Sequence, residues 1–452
     1  MIKFDKMNIL VINGSPKGDN SITLHTALYL EKKFPGHSFS YLNAGQKIKS
    51  LEKDFSPALE AVSEAELIIF CYPVYTFLVP SQLHRFIELL KESAPDLSCK
   101  AATQITTSKH FYDITAHRFI EDNCADLGLP FLDGLSADMD DILSQKGRGQ
   151  AVDWLEFTLW KHSRGEFKKP SVSAAKSPEH AIASVPEPVT HNTDKKAIIV
   201  TDLLPEDTSL KAMIDRFVAV FPYGCDVFNI QDFKFKGGCL SCFSCAATGK
   251  CIYTDGFDTF LRDFIHKHSA ILYAFRIKDH SMGSRFKMYD DRQFCNGHRT
   301  VTMGTPFGYL VAGDYSSEEN LRTLLEARAQ VGGNFLAGVA TDQCNADAEI
   351  DALAATVAYA MDKQYTPPQN FYGVGGMKIF RDLIYMMRGL MRADHKFFKS
   401  HGQYDFPQKK WKTSMLMYLV GGMMNNPRMR SKMAGRMTEG MIAPYKKVLE
   451  DK

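Results

Sequence analysis

Long hydrophobic runs are what this sequence most clearly lacks. No uninterrupted apolar stretch approaches the roughly eighteen residues of a membrane helix. The longest candidate, Met415 to Met424, is too short to span a bilayer. A basic-then-apolar leader is also missing, because the first apolar run, Ile9 to Ile12, belongs to a strand-like segment. Nor does one sign of charge dominate: 54 Lys+Arg against 52 Asp+Glu leave a formal +2, which excludes bulk attraction to nucleic acid or membrane. The expected location is cytoplasmic. A disulfide framework is not expected in such a chain. Yet four of its ten cysteines crowd between Cys239 and Cys251, and a tight cluster in a reducing compartment points to metal or cluster ligation.

What is there is an alternation of strand and helix patterns. Strand-like runs at Asn8–Asn13, Ser38–Leu42, Glu66–Tyr72, Lys100–Thr107 and Phe131–Ser136 alternate with helical runs such as Pro80–Ser93 and Ile114–Leu127. Such βα units predict a doubly wound parallel sheet with functional loops at the carboxyl ends of its strands. Residues 166–194, rich in Pro, Ser, Ala and Lys, read as a linker. The pattern then restarts, with strands at Lys196–Thr201, Asp226–Ile230, Ala270–Phe275, Gly308–Ala312 and Phe335–Thr341. Helical runs at Thr208–Phe221, Asp255–Lys267, Leu321–Val331 and Ala346–Met361 accompany them. The expected fold is therefore α/β, with two tandem five-stranded parallel-sheet domains at 1–165 and 195–365 and a helical C-terminal region at 366–452.

The first strand ends in Asn13-Gly14-Ser15-Pro16-Lys17-Gly18-Asp19-Asn20-Ser21-Ile22-Thr23, and a helix follows. Free N–H groups at a helix start, the dipole, three hydroxyls (Ser15, Ser21, Thr23) and the Lys17 charge all favour a phosphate there. Read alone, the segment equally suits a capped turn with no ligand. After the third strand come Pro73-Val74-Tyr75 and then Val79-Pro80-Ser81-Gln82-Leu83-His84. In order and spacing these segments resemble the NAD(P)H-dependent FMN reductase branch of the flavodoxin superfamily. That family carries a Gly-Ser-Pro-Arg/Lys loop, a Ser-x-Thr helix start, and Pro-x-Tyr before a helix opening near Pro-x-x-Leu-Lys.

The resemblance implies flavodoxin-like domains, with Ser15, Lys17, Ser21 and Thr23 at the FMN phosphate. It places Pro73, Val74, Tyr75 and Thr76, with Thr107 and Ser108 of the loop after the fourth strand, at the isoalloxazine ring. NAD(P)H becomes a candidate donor. Lys17 replaces the commoner Arg and loses bidentate geometry, and His84 stands where the family usually has Lys.

The cysteine loop runs Gly237-Gly238-Cys239-Leu240-Ser241-Cys242-Phe243-Ser244-Cys245, then Cys251, a C-x2-C-x2-C-x5-C spacing. Overlapping knuckles separated by small residues suit a [4Fe–4S] cluster better than zinc, whose sites pair two knuckles over a longer gap. Here the chain resembles the iron–sulfur flavoproteins, relatives of the reductases, in its four-cysteine loop and in Gly249-Lys250-Cys251-Ile252 with Asp255. The ligands implied are Cys239, Cys242, Cys245 and Cys251.

The second repeat departs from its relatives elsewhere. Its first loop, Thr201-Asp202-Leu203-Leu204-Pro205-Glu206-Asp207, has no glycine and three acids, a poor place for a phosphate. Arg276-Ile277-Lys278-Asp279 stands where Pro-x-Tyr would be. One flavin in the first repeat and one cluster in the second is the expected division, in an FMN-dependent oxidoreductase fed by NAD(P)H or a protein. An electron-transfer flavoprotein with no small substrate, and a zinc-stabilised interaction module, stay open as alternatives.

Residues 371–452 hold twelve of the 20 Met, and sixteen Lys+Arg against six Asp+Glu. Met377, Phe380, Ile384, Met387 and Met391 recur at helical spacing, with Lys378, Arg381, Arg388 and Arg392 on another face. A packed appendage, a dimer contact, a docking surface for a redox partner and a peripheral membrane contact all fit that pattern. His110, His280 and His298 read as surface or capping residues, and Asp290, Asp291 and Arg292 as a solvated helix face.

Overall fold

The computed structural model describes residues 6–97, 99–168, 183–188, 192–343 and 345–450. The first repeat contains β1 (Asn8–Asn13), α1 (Ile22–Lys33), β2 (Ser38–Leu42), α2 (Ala44–Leu51), α3 (Ser56–Glu64), β3 (Leu67–Pro73), α4 (Ser81–Ser93), β4 (Ala101–Ser108), α5 (Asp113–Asp126), β5 (Leu135–Asp138) and α6 (Gln145–Ser163). The second contains β6 (Asn192–Thr201), α7 (Thr208–Val220), β7 (Tyr223–Asn229), α8 (Ser244–Thr248), α9 (Phe257–Asp263), β8 (Ala270–Arg276), α10 (Gly283–Arg292), β9 (Pro306–Ala312), α11 (Glu319–Gly332), β10 (Phe335–Thr341) and α12 (Ala346–Lys363). Helices α13 (Phe371–Met386) and α14 (Arg392–Ser400) follow.

Both sheets have five strands, all parallel, in the orders β2-β1-β3-β4-β5 and β7-β6-β8-β9-β10. This is the flavodoxin-like order, with the crevice at the switch between the first and third strands of each repeat. The fifth strand begins later than the apolar run that announced it. Phe131 makes only isolated bridges to Ala102 and Lys168, and regular pairing with β4 starts at Leu135. Most of the linker read at 166–194 lies outside the described residues, although Asn192 already belongs to β6.

Alternation along the strands sorts the core. Ile9, Val11, Ile69 and Ile105 pack outward under α1 and α6, and Ile199, Leu272 and Leu310 do the same with α7 and α12. Their neighbours Leu10, Ile12, Ile68 and Phe70 share one inner cluster with Ile198, Val200, Ile271 and Phe275. The repeats thus join through α4 and α10 into a single apolar core.

That junction overturns one expectation: Asp290, Asp291 and Arg292 are 2%, 0% and 1% exposed rather than solvated. Burial is tolerated because each finds a partner: Arg328 for Asp290, Lys287 for Asp291 and Asp255 for Arg292. Arg381, placed by periodicity on a polar face, is also buried, beside Asp382.

Residues Phe397–Lys452 form a second compact unit, which contains α15 (Trp411–Asn425) and α16 (Pro427–Glu450). Helix α15 exposes Trp411, Met415, Met417 and Tyr418. Among the described residues, no helix is long and apolar enough to cross a membrane.

Candidate functional site

The loop after β1 is folded by Asn13. Its amide donates to Gly18 O at 2.9 Å and Asn43 Oδ1 at 2.8 Å, while its Oδ1 accepts from Ser15 N at 3.2 Å. Two glycines let backbone approach closely. A Cβ on Gly14 would lie 2.6 Å from Leu83 Cδ2, and one on Gly45 would lie 2.2 Å from Gly14 O. Ser21 caps α1 by accepting from Leu24 N, and helix geometry leaves the N–H groups of Ile22 and Thr23 without intrahelical partners. Thr23 Oγ1 lies 2.6 Å from Thr107 Oγ1, tying this loop to the end of β4.

The turn after β3 is tightly closed and carries backbone strain. Tyr75 and Leu78 exchange backbone hydrogen bonds of 2.8 and 3.0 Å, which forces Thr76 and Phe77 into the left-handed region at φ 41° and 69°. The second repeat stabilises this turn. Lys287 Nζ donates to Tyr75 O at 3.0 Å and to Thr76 Oγ1 at 2.7 Å. Asp291 accepts from Thr76 Oγ1 at 2.6 Å and from Ser81 N at 2.8 Å. Burial pushes the Tyr75 phenol up.

The cysteine loop lies against the start of α4. A Cβ on Gly238 would lie 2.6 Å from Ser81 Oγ, and Gln82 Nε2 donates to Cys239 O at 3.4 Å. Arg292 carries the loop's stem, donating to Gly237 O at 2.9 Å while gripping both Asp255 oxygens at 2.8 Å. Asp258 accepts from Cys251 N at 3.2 Å, and Arg299 donates to Cys245 O at 3.2 Å. Burial pushes the Cys239 thiol up to about 12 and that of Cys245 up to about 11. A bound cation reverses that preference.

Ser15, Lys17, Ser21, Thr23, Pro73, Val74, Tyr75, Thr76, Thr107, Ser108 and all four loop cysteines line one cleft of about 250 Å³. Lys17 Nζ stands 6.0 Å from the Phe243 ring centre, so the loop after β1 and the cysteine loop face each other. The residues therefore fit both groups: a loop with backbone donors and hydroxyls on one wall, and thiols on the other.

Sequence reasoning missed several cleft residues. Cys295 was one more scattered cysteine, yet it is a buried fifth thiol on the wall, pushed up to about 12 by burial. Ile379, Phe380 and Leu383 of α13 also line the cleft, and Phe380 stacks on Phe111 at 4.2 Å. His298 is a cleft residue rather than a surface one, held by Asp394 at 2.9 Å from its Nδ1. His280 bridges Asp126 and Glu318. Only His110 among the three matches the surface reading, half exposed beside Asp113. Apolar helical spacing was the one available signal for α13; nothing local marked Cys295 or His298.

At the matching place in the second repeat, the chain supplies its own anions. Asp207 before α7 pairs with Arg276 at 2.5 Å. Asp342 accepts from Ser209 Oγ at 2.8 Å and Gly313 N at 2.9 Å. Carboxylates occupy donors that a phosphate would need.

Residues 7–111 match the family model of NADPH-dependent FMN reductases. Solved structures similar to the chain include a Trp repressor binding protein from Bacillus subtilis, at 22% identity over 32% of this chain and 97% of that one, TM-score 0.26. Another is an NAD(P)H:quinone oxidoreductase from Methanothermobacter marburgensis, at 9% identity over 37% and 100%, TM-score 0.29. A third is an FMN-dependent NADH-azoreductase from Bacillus anthracis in complex with FMN, at 12% identity over 35% and 99%, TM-score 0.26. No curated protein matches the chain.

Proposed function

We propose that this protein, whose residues 7–111 carry the NADPH-dependent FMN reductase pattern, is an FMN-dependent oxidoreductase. It moves electrons between NAD(P)H or a protein donor, FMN in the first repeat and a [4Fe–4S] cluster in the second. The observation that carries this reading is the convergence of every candidate flavin residue and all four loop cysteines on one cleft. FMN supplies hydride acceptance and single-electron release, and a cluster carries single electrons.

The chain's own residues hold and shield the groups. Ser15, Lys17, Ser21 and Thr23 bind the phosphate, while the turn at Pro73–Thr76 with Thr107 and Ser108 positions the ring. Phe77, Phe111 and Phe380 keep water from the cleft. Cys239, Cys242, Cys245 and Cys251 are the cluster ligands. The spacing supports a cluster over zinc, because three overlapping C-x2-C knuckles differ from the two knuckles over a longer gap that zinc sites pair.

The test is anaerobic purification with quantified FMN, iron and zinc, followed by NAD(P)H addition. One FMN, about four iron and flavin bleaching are expected, with iron lost in Cys242→Ser. Stoichiometric zinc without colour, or wild-type iron in Cys242→Ser, contradicts the reading.

A further inference from the structure

The turn after the third strand of each repeat packs on the opposite repeat's following helix, and the two contacts correspond residue by residue. Thr76 matches Asp279, Ser81 matches Ser284, His84 matches Lys287 and Glu88 matches Asp291, all at one sequence separation. Thr76 and Asp279 are both left-handed, at φ 41° and 53°, inside equivalent bridges Tyr75–Leu78 and Lys278–Ser281. Each acid accepts from the opposite serine N–H: Asp291 from Ser81 at 2.8 Å and Glu88 from Ser284 at 2.7 Å.

One copy contains its cation. The Lys287 ammonium is buried among Asp291, Thr76 Oγ1 at 2.7 Å and Tyr75 O at 3.0 Å. The other copy has exchanged lysine for His84 and threonine for Asp279, gaining a carboxylate and losing the ammonium. The His84 side chain is 0% exposed, and neither ring nitrogen has a hydrogen-bond partner. Its Nε2 lies 3.9 Å from Asp279 Oδ2, itself buried and unpartnered, and 4.0 Å from Glu88 Oε1. Among the described residues, no other three His, Cys, Asp or Glu side chains bring ligand atoms within 4.8 Å of one another. Nearby cations engage the outer oxygens: Lys91 meets Asp279 Oδ1 at 3.0 Å, while Arg85 and Lys278 meet Glu88 Oε2 at 2.9 and 3.3 Å. The inner oxygens face the imidazole, Asp279 Oδ2 without a hydrogen-bond partner and Glu88 Oε1 while also accepting from Ser284 N at 2.7 Å.

We propose that a divalent transition-metal ion takes the place of the missing ammonium, bound by His84 Nε2, Glu88 Oε1 and Asp279 Oδ2. One imidazole with two carboxylates suits Zn²⁺, Mn²⁺ or Fe²⁺. Bonds of about 2.1 Å at tetrahedral angles set ligand atoms about 3.4 Å apart, so the imidazole closes on each carboxylate by about half an ångström from 3.9 and 4.0 Å, and the two carboxylate oxygens draw together from within 4.8 Å. The ion joins α4 of the first repeat to the turn preceding α10 of the second. It is separate from the cysteine loop.

Mn²⁺ is the probe, because thiolates compete poorly for it. It is titrated into full-length holoprotein, and free Mn²⁺ is counted by electron paramagnetic resonance. Wild type is expected to bind one equivalent and to melt at higher temperature with Mn²⁺. His84→Lys, which restores the ammonium, and Asp279→Thr, which restores the hydroxyl, each lose that equivalent and the thermal response. Should the isolated protein already carry the ion, elemental analysis finds one first-row metal, beyond the cluster iron, that both variants lack. Folding is checked by circular dichroism, and either folded variant suffices. Wild type without bound metal or thermal shift, or equal metal content in wild type and a folded variant, overturns the proposal.

Discussion

Gly14 has no room for a methyl group: its Cβ would meet Leu83 Cδ2 at 2.6 Å and Leu83 Cβ at 2.8 Å, and the second of these atoms cannot swing aside. Gly14→Ala is expected to cost about 1–3 kcal/mol and to displace the phosphate loop, read as a lowered Tm and reduced FMN content after desalting. Asp255 governs the cysteine loop through Arg292. Burial opposes its charge, but hydrogen bonds from Arg292 win and hold the carboxyl down to about 2. The unfolded value is about 3.9, so this pair's contribution is complete above about pH 4 and lost as pH falls through about 2. Asp255→Asn is expected to flatten the acid limb of the Tm profile and to release iron at neutral pH; an unchanged acid limb refutes the assignment. Asp255 was legible only as a motif match, because its partner lies in another element.

Helices α4 and α10 do more than pack. Each steadies the turn that precedes the other, so the left-handed Thr76 depends on Lys287, a residue more than two hundred positions away. Lys287→Met leaves Asp291 buried and unpaired, which is expected to cost about 3–5 kcal/mol. Flavin content should fall with it, because Tyr75 O and Thr76 lose their donor. Lys287→Met with Asp291→Leu is expected to recover much of the stability in urea titration but not the flavin. Recovery of both would show that the turn stands without help from the second repeat. Helix positions here were readable from apolar spacing. The reading of Asp290, Asp291 and Arg292 failed because a charged run looks the same whether water or a paired partner surrounds it.

The two repeats pack into one compact unit rather than two beads. Their inner sheet faces share a core, and α4 buries His84 and Glu88 against the second repeat. A chain ending at residue 165 would expose that face. It is expected to be recovered mostly in aggregates or as a flavin-poor, protease-sensitive species, and to regain flavin when co-expressed with residues 166–452. A stable first repeat with its full complement of bound FMN would refute this coupling.

The order of the strands, the glycine-bearing loop after β1 and the cysteine loop were legible in the sequence alone, since apolar periodicity, turn glycines and thiol spacing are local signals read over a few residues. Tertiary structure decided the rest. It set the loops face to face, brought Cys295, His298 and Phe380 to the cleft, and put Lys287 and His84 at equivalent buried points with different partners. Those facts depend on which distant groups share a low-dielectric interior, and the burial and pairing that govern such groups leave no periodic trace in the chain.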